Sequence, residues 1–157
     1  MDSRITAQIK NQFYKAFDDL LSETLSSDNP DWDWVVRLYT ELRDRLCMLT
    51  PRRLDIHKSI KESMDVQLFN QMIRNNAFTP EDMWKLVEYV FSIIKSRQAP
   101  IRDSVTENVR QTLYTDFNKE GMTIATFLPL FLKSAHARVQ VIEEDTKQFL
   151  KQFNNNS

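Results

Sequence analysis

One glycine among 157 residues is the first constraint on this chain. Strand-rich folds turn at positions with φ > 0, which glycine alone takes without strain, so the scarcity excludes most of them and leaves an all-α fold. It also excludes a glycine-rich loop cradling phosphate. The single cysteine, Cys47, can make no internal disulfide, and its place on an apolar helical stripe suits a small core residue. Two histidines, His57 and His136, stand far apart and away from Cys47. A zinc site needs three or four ligands, so no metal, cofactor or catalytic set is expected. The longest apolar run, residues 124–132, contains a Thr and a Pro and falls well short of the roughly 20 residues of a membrane span. The opening MDSRITAQIK lacks the apolar core of a secretory signal, so an intracellular, cytoplasmic protein is expected. A net charge of −1 and a pI near 6.1 leave no basal excess of positive charge for nucleic-acid binding.

Sustained helical spacing is what the chain does have. Apolar periodicity and helix-start signals predict six or seven helices in a single domain over residues 1–153, followed by a disordered tail at 154–157. The first helix covers about 3–25, with Ile5, Ile9, Phe13, Phe17 and Leu20 on one stripe. Asn29-Pro30 starts the second, which buries Val35, Leu38, Leu42, Leu46 and Leu49. Thr50-Pro51 starts a third ending near Met64, and Asp65 caps a fourth that turns Leu68, Phe69, Met72 and Ile73 inward. Thr79-Pro80-Glu81-Asp82 opens the fifth, with Met83, Val87, Val90, Phe91 and Ile94 in register. Ala99-Pro100 breaks it before a sixth helix over 101–117. A last helical region over 123–153 is expected to be interrupted or kinked at Pro129.

Three stretches invite a chemical reading. Asp116, Asn118, Glu120 and Gly121 fall at positions 1, 3, 5 and 6 of a calcium loop, but position 12, where a bidentate Glu belongs, is Phe127. A helix-ending turn at Asn118 and Gly121 is the simpler account. Asp28, Asp31 and Asp33 surround Trp32 and Trp34, where the acids suit the positive end of a helix and the indoles suit packing against the first helix. At 99–103, Pro100 fixes a helix start and Asp103 suits the dipole, whereas Arg102 opposes it. That misplaced charge calls either for a carboxylate from another helix or for free hydration.

The order of segments across 41–113 (ELRDRLCML, then a Pro-opened basic turn, then SMDVQLFNQMI, then APIRD) resembles the T-complex protein 11 family. Ala99-Pro100-Ile101-Arg102-Asp103 is similar to that family's Ala-Pro-Val-Arg-Asp segment. Met64-Asp65-Val66-Gln67-Leu68 is similar to its Leu-Asp-x-x-Leu segment. Downstream, Met122 and Phe127 fit a Met-x-x-x-Asn-Phe pattern with Thr126 in place of Asn. The resemblance implies an all-helical fold without catalytic residues and a role in modulating cyclic-AMP and protein kinase A signalling. Asp65, Leu68, Pro100, Arg102 and Asp103 become the interaction or structural motif.

The function expected is therefore that of a non-enzymatic helical adaptor or signalling regulator with a protein partner. The alternative is a structural or oligomerising protein, such as a viral or cytoskeletal component. That alternative rests on the tail, where Val139, Ile142, Thr146, Phe149 and Phe153 alternate spacings of three and four like a heptad seam. About two heptads are too short to hold a free helix, so packing on the same domain, and a monomer rather than a homodimer, is expected.

Overall fold

A computed structural model describes residues 32–155, and every regular element among them is helical. In chain order these are α1 (Trp32–Met48), α2 (Leu54–Ser63), α3 (Val66–Arg74), α4 (Pro80–Arg97), a 3-10 turn (Pro100–Arg102), α5 (Asp103–Phe117) and α6 (Ile124–Asn155). The helix expected over 3–25 lies outside the described residues, as do Asp28, Pro30 and Asp31. Among the described residues, no helix is long and apolar enough to cross a membrane.

Local chemistry accounts for most of the boundaries. Asp65 caps α3 by accepting the Leu68 amide at 3.0 Å. At α4, Thr79 Oγ1 accepts the Asp82 amide and Asp82 Oδ2 accepts the Thr79 amide, both at 3.1 Å, with Pro80 at the first helical position. The Thr79 amide, and then the Thr79 hydroxyl, hold the Asp82 carboxyl below its ordinary pKa. Thr50-Pro51 behaves differently from the sequence expectation. Arg53 N donates to Thr50 O at 3.1 Å, so Pro51 turns the chain and α2 begins only at Leu54. Between α5 and α6, Gly121 has φ +81°, a conformation that a side chain would strain. Thr123 Oγ1 then accepts the Thr126 amide at 3.1 Å and closes the first turn of α6. That helix runs unbroken through the buried Pro129.

The core is built around the first half of α6. Phe127, Leu128, Phe131, Leu132, Ala135 and Val139 form a stripe with essentially no solvent exposure. This wide apolar face packs against α1, α4 and α5, while α1 also carries α2 and α3. Val35, Leu42 and Leu46 of α1 and Met83, Val87, Val90 and Ile94 of α4 are sealed against it, and Cys47 is buried beside them. Trp32 and Trp34 are half-buried against the same core.

Candidate functional site

The chain from Gln98 to Thr106 ties three helices together through its polar groups. Arg102 makes a two-pronged ion pair with Asp145 of α6, Nε to Oδ2 at 3.0 Å and a terminal nitrogen to Oδ1 at 2.9 Å. Asp145 is thus the carboxylate that the misplaced charge called for, and it raises the guanidinium pKa. Asp103 Oδ1 accepts from Gln98 Nε2 at 2.7 Å, and Gln98 Oε1 accepts from Thr106 Oγ1 at 2.7 Å. Thr106 Oγ1 in turn accepts from Arg138 Nε at 3.1 Å. Arg138 lies beside Arg102, and burial together with that neighbouring charge lowers its pKa, with Asp145 opposing. Each donor in this chain meets one acceptor, so the network locks the α4–α5 junction onto α6.

Thr106 is buried and central to it. Thr106→Val keeps the shape but strands Gln98 Oε1 and Arg138 Nε, and is expected to cost about 1–3 kcal/mol. Urea unfolding curves that overlay those of the wild type would show that the network contributes nothing.

Asp65 and Leu68 belong to a different place. Leu68 is 52 % exposed, against the expectation that it turns inward with Phe69 and Ile73. The reason is geometric. The cap at Asp65 fixes the phase of α3, and its stripe through Phe69 and Ile73 faces α1, leaving Leu68 on the shoulder. Beside it runs an open groove of about 380 Å³ between α1, α3 and α4. Its floor is aromatic. Tyr39 stacks on Phe69 with centroids 3.9 Å apart, and Phe78 meets Phe69 edge-on at 5.3 Å. Met72, Leu86 and Tyr89 complete the apolar lining, and Glu62, Asp65, Asp82 and Lys85 form the rim. Burial, and then the charge of Asp65, push the Tyr39 hydroxyl pKa well up. Sequence reasoning missed the groove; the aromatic spacing of Phe69 and Phe78 was its available signal.

A larger groove of about 550 Å³ between α4 and α5 is lined by Glu88, Lys95, Asp103, Glu107 and Arg110. There Arg110 bridges Glu88 at 2.6 Å and Glu107 at 3.2 Å.

The tail residues divide. Val139 and Ile142 are buried in the domain core, whereas Phe149 and Phe153 are each 66 % exposed, with Leu150 beside them. A triad that the sequence reading left out, centred on the buried His136, lies just before them. His136 Nδ1 accepts from Arg45 of α1 at 2.8 Å, its Nε2 donates to Leu38 O at 3.1 Å, and Arg45 is paired on its other side with Glu143. The calcium-loop pattern is a turn: Asp116 pairs with Lys119 at 2.9 Å, and Phe127 is sealed in the core. Among the described residues, no group of three or more His, Cys, Asp or Glu is placed to hold a metal ion.

The fold and these segments can be set against known proteins. The sequence profile described as T-complex protein 11 matches residues 2–144. The chain belongs to the T-complex protein 11 family. Human T-complex protein 11 homolog is 28 % identical over 108 residues, which is 68 % of this chain and 21 % of the human protein. This member thus matches about a fifth of that relative's length. No solved structure matches the chain. The T-complex protein 11 match encloses both the Asp65–Leu68 segment and the Pro100–Asp103 segment, and it ends just before Asp145.

Proposed function

We propose that this chain is a non-enzymatic helical module that acts by binding another protein through the groove between α1, α3 and α4. The observation that carries the reading is Leu68. A large apolar side chain stands half in water at the lip of an aromatic-floored groove, in a segment where the family resemblance lies. Exposed apolar side chains that adjoin a concave aromatic surface make good interface anchors. Membership of the T-complex protein 11 family supports a contact role and, more finely, one in cyclic-AMP and protein kinase A signalling inside the cell. Arg102 and Asp103 serve this function indirectly, Arg102 by fixing the start of α5 against α6 and Asp103 by tying it to the end of α4.

The second reading, an oligomerising or structural protein, takes Phe149, Leu150 and Phe153 as its contact surface. One comparison separates the two. Leu68→Asp and Phe149→Asp both change exposed residues and are expected to shift stability by less than about 0.5 kcal/mol. A partner identified by its retention on the immobilised wild-type chain is expected to be lost with Leu68→Asp and kept with Phe149→Asp. The opposite pattern, with a native mass that falls from dimer to monomer in Phe149→Asp, would transfer the function to the tail.

A further inference from the structure

The molecule carries a concave apolar surface and a convex one, and their charges are of opposite sign. Around the groove between α1, α3 and α4 stand Glu62, Asp65 and Asp82 against one cation, Lys85. The convex surface is the end of α6. That helix runs unbroken to Asn155, and Phe149, Leu150 and Phe153 are exposed on it. Their spacing of one and four residues puts all three on one face. Residues 146–155 contain Lys147 and Lys151 and no acidic residue. Lys147 neighbours Leu150 at i+3 and Lys151 at i+4, so the two exposed lysines flank the apolar face. The acids just before this stretch are engaged within the fold: Glu143 with Arg45, Glu144 with Gln140 and Asp145 with Arg102. The tail does not enter its own groove. Phe149 stands in solvent about 10 Å along the helix from Ile142, the last buried position of α6 among the described residues, at 1.5 Å per residue.

We infer that the groove takes the α6 tail of a second copy of this chain: Phe149, Leu150 and Phe153 cover the aromatic floor beside Leu68, and Lys147 and Lys151 meet the rim carboxylates. This rests on the reading of the groove as a protein-binding surface and names the chemistry it binds, a basic amphipathic helix. The contact is head-to-tail, because a concave patch on one copy meets a different, convex patch on the next. Made reciprocally it closes a pair, and repeated in one direction it builds a chain. Complementary charge sets the orientation of the helix in the groove, and the apolar face supplies the contact area. A different protein that presents such a helix competes with self-association for the same surface.

Two single variants of the full chain and their mixture test the inference, read as native mass by light scattering at high micromolar concentration. The wild-type chain is expected at twice the 18.6 kDa of one copy or above. Leu68→Asp spoils the groove and Phe149→Asp spoils the tail, so each alone is expected to be a monomer with unchanged circular dichroism. Mixed in equal amounts, they are expected to form a heterodimer, because the intact tail of the first enters the intact groove of the second. Added salt is expected to weaken that heterodimer. A wild-type chain that is monomeric throughout would overturn the inference. So would association that survives in either variant alone; survival in Leu68→Asp but not in Phe149→Asp would mark a tail-to-tail contact. Two monomeric variants whose mixture stays monomeric would overturn it as well. If the wild type is a monomer and Leu68→Asp still abolishes retention of a different partner, the groove remains a partner surface and only the second copy as its occupant is removed.

Discussion

Phe127→Glu, the substitution that completes the calcium-loop pattern begun at Asp116, is expected to destabilise the fold by more than about 4 kcal/mol and to create no calcium site. Phe127 is 1 % exposed and packs edge-on against Phe117 with ring centroids 5.3 Å apart. Removing a buried phenyl ring alone costs about 3–5 kcal/mol, and a carboxylate left in its place is either desolvated or protonated. A small domain has roughly 5–15 kcal/mol to lose, so the variant should be largely unfolded or strongly weakened at room temperature. The position is set by α6. Phe127 occupies the first buried turn of that helix, and its backbone amide donates to Thr123 O at 2.9 Å. The side chain is sealed inside the bundle against Phe117. Urea unfolding with and without calcium decides the matter. A variant as stable as the wild type, and stabilised further by micromolar calcium, would mean that the loop is a metal site after all.

The parts of the fold that could be read in advance are those whose cause is local. The Thr79–Asp82 start of α4 is written in four consecutive residues, and its reciprocal hydrogen bonds are the ones those residue types make. The inward stripe of α4 followed in the same way, because Met83, Val87, Val90, Phe91 and Ile94 repeat at helical spacing and all are buried. Thr50-Pro51 carries much the same local signal, yet there the proline turns the chain, and only the course of the chain into α2 decides between the two uses. Arg102 marks an intermediate case. Its unfavourable place announced the need for a partner, but Asp145 is 43 residues away, and no local rule selects it from the chain's other carboxylates. Leu68 and the tail show where periodicity stops being informative. An apolar stripe continues from Val139 to Phe153, but the surface that covers it ends near Ile142. A helix stripe records what is apolar and carries no record of how far its neighbour extends.

The two polar assemblies on α6 act at different levels. The Gln98–Thr106–Arg138 chain and the Arg102–Asp145 pair hold the α4–α5 corner, while Arg45, His136 and Glu143 hold α1. The groove lies between α1, α3 and α4. Two of its walls, α1 and α4, pack directly on α6, and α3 is carried by α1, which keeps a binding surface pre-formed.

That role for His136 predicts a loss of stability on mild acidification. Burial lowers its pKa from the ordinary 6.5 to about 4, with the Arg45 charge acting in the same direction and the Leu38 carbonyl and Glu143 opposing. The hydrogen bonds fix the neutral form. Nδ1 must accept from the guanidinium, so the ring's one proton sits on Nε2 and points at Leu38 O. In the unfolded chain the ring takes up a proton near pH 6.5, whereas in the folded chain it does so only near pH 4. Between those values the unfolded state binds more protons, so stability falls as the pH falls. The stabilising contribution is complete above pH 6.5 and is progressively lost towards pH 4. The total is about 3 kcal/mol, from roughly 1.4 kcal/mol per unit of pKa. His136→Gln keeps a side-chain amide in the gap but removes the titration, so it is expected to be less stable at pH 7 and to lose most of the slope between pH 6.5 and 4. Comparing urea midpoints of the two proteins across that window cancels the contribution of every other group. Parallel profiles would show that protonation of His136 is not linked to folding and that the contact between α1 and α6 does not depend on its neutral ring.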